Sequence, residues 1–71
     1  MSYLQYVANA IERETGISFA HLMSAHPILG ITTKDQRAQI FEIMIEGNRN
    51  QANAMDTTLT IVNLLNRWEV K

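Results

Sequence analysis

Glu12, Glu14, Ser18, His21, Ser24 and His26 fall within one short stretch of this 71-residue chain. A serine near a histidine, with a carboxylate to orient the imidazole, is the raw material of nucleophilic catalysis. Here the material lacks a setting. Nothing around it resembles a nucleophile turn, a phosphate loop or an oxyanion nest, and the serines fall where helix caps are needed. His21 and His26 are separated by a helix end predicted before Pro27, so they do not share a helix face as a metal-binding pair spaced by four would. The chain has no cysteine. Thiolate ligands are therefore excluded, and no spacing of Asp or Glu nominates further metal ligands. No catalytic residue, metal, cofactor or small-molecule substrate is expected.

Hydrophobic residues make up 46% of the sequence and charged residues 18%. A domain this small buries only about 60% of the surface its unfolded chain exposes, so apolar residues in such numbers call for a partner. Net charge is −1. Arg13, Lys34, Arg37, Arg49, Arg67 and Lys71 are scattered, which gives no basic field for nucleic acid. The first residues, MSYLQYVANAIERE, have neither a basic start nor an uninterrupted apolar run, and no stretch approaches the roughly 20 apolar residues that cross a bilayer. Together these features predict one soluble, cytoplasmic domain spanning 1–71, with no membrane span.

The elements that must position any site are helical by periodicity. Ser2 caps a helix in which Tyr3, Leu4, Val7, Ala10 and Ile11 recur at spacings of three and four, and Gly16 ends it. Ser18 caps a short second helix from about Phe19 to Ala25, with Ile17 and Leu22 as a hydrophobic staple. Pro27 to Ile31 forms a loop. Thr33 and Gln36 fit a capping box opening a third helix, whose Ala38, Ile40, Phe41, Ile43, Met44 and Ile45 cover most of its circumference and leave an acidic stripe of Asp35, Glu42 and Glu46. Most of that helix is expected to be buried. Gly47 reads as its stop or as a kink, with Asn48 and Gln51 as the cap of a fourth helix from about Arg49 to Val70. The run TLTIV favours a strand by propensity, but no second strand exists for it to pair with, and it is expected to be helical. Met23, Met44 and Met55 read as core filler.

On a helical wheel the fourth helix carries two adjacent apolar strips, one of Met55, Leu59, Val62 and Val70 and one of Ile61, Leu64, Leu65 and Trp68. One small core cannot take both. The expectation is that one strip packs within the chain and that Ile61, Leu64, Leu65 and Trp68 contact a protein partner or a second copy. Trp68 reads equally as an interface anchor or as the closure of the chain's own core.

The segment Ala10 to Leu22, with helix, glycine turn and helix, resembles helix-turn-helix DNA-binding domains, and the wider layout is loosely similar to the C-terminal domain of bacterial replication initiators. Glu12 departs from the small residue usual near that turn. The resemblance implies a DNA-binding transcriptional regulator as the alternative function, with Thr33, Lys34 and Arg37 of the third helix as the reading residues. The few basic groups disfavour nucleic acid as a partner. The leading expectation is an all-α bundle of three to four helices, two short and N-terminal, two longer and C-terminal. It associates through the last helix and acts without catalysis, as a homo-oligomer, as an inhibitor or regulator of a larger protein, or both.

Overall fold

A computed structural model describes residues 2–70. Four helices are present among them and no strand: α1 (Tyr3–Thr15), α2 (Phe19–Leu22), α3 (Lys34–Arg49) and α4 (Ala54–Arg67). Each begins on a residue chosen by chemistry. Ser2 Oγ accepts from the Gln5 N–H at 3.1 Å, and Ser18 Oγ from the His21 N–H at 3.4 Å. Asn53 Oδ1 accepts from the N–H groups of Met55 and Asp56. Thr33 forms the expected capping box: its hydroxyl accepts from the Gln36 N–H at 3.1 Å, and its own N–H donates to Gln36 Oε1 at 2.9 Å. α1 closes on Gly16 at φ 73.

Boundaries of α2, α3 and α4 differ from the sequence reading. α2 stops at Leu22 instead of continuing to Ala25, because the groups that would extend it are used elsewhere. The Leu22 carbonyl accepts from Thr32 Oγ1 at 2.7 Å, the Ser24 carbonyl accepts from Arg37 Nη1 at 3.3 Å, and Ser24 Oγ accepts from the His26 N–H at 3.2 Å. The second correction concerns Gly47. It neither ends nor kinks α3; it lies buried in the helix, where a Cβ would sit 2.6 Å from Thr57 Oγ1 and 2.8 Å from the Tyr3 hydroxyl. Close approach of neighbours, not chain termination, is what requires glycine there.

α3 ends instead at Arg49, with Asn50 as its C-cap and Gln51 in the left-handed region at φ 55. The Ala52 N–H reaches the Gly47 carbonyl and the Gln51 N–H the Asn48 carbonyl, the paired bonds of a Schellman turn. Helices three and four are therefore separate, and α4 starts at Ala54 under Asn53, not at Arg49 under Asn48. The β-branched run is helical as expected. Thr58 and Thr60 return their hydroxyls to the carbonyls four residues back, at 2.8 and 2.9 Å.

The core is one cluster: Val7 and Ile11 of α1, Leu22 of α2, Ile40 and Met44 of α3, Ile61 and Leu65 of α4. α1 packs on each of the other helices. Accessible surface is 4671 Å², close to the roughly 4,500 Å² expected of a folded monomer of this mass. The apolar side chains that remain outside are thus not the product of an opened fold.

Candidate interaction surface

Four of the six side chains with chemical potential, Glu12, Ser18, Ser24 and His26, accept from backbone N–H groups. Ser18 and Ser24 hold backbone N–H groups, and Glu12 Oε2 accepts from the Phe19 N–H at 3.0 Å, securing the start of α2 from the preceding helix. That is the role of the glutamate that departs from the helix-turn-helix pattern. His26 Nδ1 accepts from the N–H groups of both Ile28 and Leu29. Among the described residues no three His, Asp or Glu side chains converge as metal ligands would.

The residues proposed for DNA reading are placed as follows. Thr33 is the cap of α3. Arg37 is half-buried, its Nη1 donating to the Thr32 carbonyl at 2.6 Å and to the Ser24 carbonyl at 3.3 Å, so its guanidinium ties the loop to the helix. Lys34 is exposed on the first turn. Two of the three thus have structural engagements that reaching a base would break.

The partner strip expected on α4 needs correction. Ile61 and Leu65 are 0% and 1% exposed and belong to the core; no partner can touch them while the chain is folded. Leu64 and Trp68 are half-buried, and Trp68 packs against the core cluster. Both strips are real, but the one assigned outward faces inward. The cause lies in α1 and α3, which leave room beneath Ile61 and Leu65 and bury Thr57 and Thr58 beside them. Of the other strip, Leu59 is exposed and Met55 and Val62 are half-buried, while Val70 folds back on the core.

Part of the surplus apolar surface is on α3. Its buried residues are Ile40, Met44 and Gly47, a single narrow face. Phe41 and Ile45 each lie one residue beyond a core position, about 100° round the helix, and remain 47% and 43% exposed. Most of α3 was expected to be buried; half of its apolar girth is not. Phe41 and Met44 line a groove with Leu4 and Ala8 of α1 and with Phe19 and Ala20 of α2, whose polar lining is Ser2, Gln5 and Glu12. Asp35, Gln39, Glu42 and Glu46 occupy another flank of α3, as the periodicity indicated.

Phe41 and Ile45 were legible as apolar but not as exposed. The available signal was the doubled pattern of Ile40 with Met44 and Phe41 with Ile45, two pairs spaced by four that point in different directions. No protein-family model, curated protein or solved structure matches the chain.

Proposed function

We propose that this is a non-enzymatic helical protein that acts by protein contact, on a second copy of itself or as an inhibitor or regulator of a larger protein. Its contact surface is the Phe41–Ile45 face of α3 with the adjoining groove. The observation that supports this reading is the alignment of two large, half-exposed apolar side chains on consecutive turns, beside a groove to which three helices contribute. Single exposed apolar residues are ordinary on any surface. An aromatic and an aliphatic residue aligned beside an apolar groove have the composition of an interface centre.

Covering the exposed halves of Phe41 and Ile45 contributes about 1 kcal/mol each, half the value for full burial. A standard interface takes about 800 Å² from each partner, roughly a sixth of this molecule's 4671 Å². Such a contact extends from α3 over the neighbouring surface of α1 and α2.

The test is Phe41→Glu, followed by mass in solution and by capture of a partner from the native host. Because Phe41 is half-exposed, the variant keeps its helical circular dichroism while losing association. A wild-type chain that remains at 8.1 kDa at high concentration and captures nothing would overturn the reading.

A further inference from the structure

Residues His26 to Gly30, a loop by sequence, close into a single tight turn. The Gly30 N–H donates to the His26 carbonyl four residues back at 2.8 Å. Pro27 stands at the first position inside the turn, where the closing bond needs no N–H. The His26 imidazole takes the place of a capping oxygen: Nδ1 accepts from the Ile28 N–H and the Leu29 N–H, each at 3.1 Å. Gly30 completes the closure, since a Cβ there would lie 2.7 Å from the His26 carbonyl oxygen and 2.8 Å from that of Ser24. This tight turn displays apolar side chains to water, Ile28 at 85% and Leu29 at 57% exposure.

We infer that the His26–Gly30 turn is a protonation-sensitive mount for the Ile28–Leu29 pair, closed while His26 Nδ1 is an acceptor and released when the imidazole takes up a proton. A neutral imidazole has one acceptor nitrogen, and two backbone donors converge on it here, so the ring proton belongs on Nε2. Imidazolium has two donors and no acceptor. Protonation therefore replaces two hydrogen bonds with three opposed N–H groups.

A charged group that reaches this loop from a packed helix is Arg37 of α3, whose Nη1 donates to the Ser24 and Thr32 carbonyls. Lys34 and Asp35 open α3 beyond Thr33, and the exposed His21 closes α2. The sign follows from the acceptor role: closure is present when the imidazole is neutral and is lost as pH falls and it charges. Release stays local, because Thr32 to Leu22 and Arg37 to Thr32 hold the loop's ends independently. The inference does not depend on the Phe41–Ile45 contact surface.

Nuclear magnetic resonance of the intact protein tests it. Imidazole nitrogen shifts at neutral pH are expected to report the Nε2–H form. Protection of the Ile28 and Leu29 amides, corrected for intrinsic exchange, is expected to fall by about tenfold as the His26 ring charges. His26→Asn, whose short side chain accepts from the same donors, keeps that protection across the same pH range. His26→Ala loses it at every pH. An Nδ1–H ring at neutral pH, or amides indifferent to the charge on His26 or to its replacement by Ala, would overturn the inference.

Discussion

Tyr3 and Thr57 meet hydroxyl to hydroxyl at 2.7 Å, joining the first turn of α1 to the first turn of α4 directly over Gly47 of α3. Three helices thus converge on a point where the third contributes no side chain. In an ordinary helix interior, glycine to alanine stabilises by about 1 kcal/mol. At Gly47 the sign reverses. Gly47→Ala is expected to destabilise by about 1–3 kcal/mol through overpacking, read from denaturant unfolding with an unchanged slope.

The two apolar strips of α4 separate by the cost of truncation. Ile61→Ala and Leu65→Ala remove fully buried side chains and are each expected to cost about 2–5 kcal/mol. That is a large part of the stability of so small a domain. Leu59→Ala, at a position 44% exposed, is expected to cost less than about 1 kcal/mol. Equal losses at Leu59 and Ile61 in thermal unfolding would mean that the assignment of faces is wrong.

Arg37 is a positive charge tied into the fold. Its Nη1 serves two carbonyls of the α2–α3 connection, and Arg37→Ala leaves both without that donor. A loss of about 1–3 kcal/mol is expected. Lys34→Ala, on the exposed first turn, is expected to change stability by less than about 0.5 kcal/mol. Chemical denaturation of the two variants side by side checks the difference.

The end of α4 holds a non-glycine residue in the left-handed region, Glu69 at φ 58, between the bonds from Glu69 N–H to the Asn66 carbonyl and from Val70 N–H to the Leu65 carbonyl. Glycine relieves the strain of that backbone. Glu69→Gly is expected to stabilise by about 0.5–1 kcal/mol, raising the melting temperature by roughly 3–6 °C. Glu69→Gln separates conformation from charge: it removes the carboxylate from the negative end of the helix and keeps the strained backbone, so it is expected to give less than half the gain.

Local chemistry was the most readable part of the fold. Ser2, Ser18 and Thr33 were identifiable as caps because each hydroxyl lies just before a periodic run, and Gly16 as a terminator because the run stops there. Gly47 misled for a physical reason: glycine for chain reversal and glycine for close approach are the same letter, and only the positions of Tyr3 and Thr57, distant in sequence, distinguish them. The αL residues Gln51 and Glu69 gave no compositional sign at all. The surface was read in kind but misplaced. Excess apolar residues were evident on both long helices, yet which face turns inward depends on how α1 lies between them, and that is a tertiary relation that periodicity does not contain. His26 reads only as a loop residue in the sequence, since an imidazole that closes a turn has no standard spacing signature.

The most direct test of the proposed contact surface is a photo-crosslinking side chain placed at Phe41, and separately at the exposed control position Asn63, with the protein expressed in its native host. Adducts heavier than the 8.1 kDa chain are expected from position 41, as self-adducts or adducts with one discrete protein, and none from position 63. Un-crosslinked chain from position 41, or indistinguishable adducts from both positions, would contradict it.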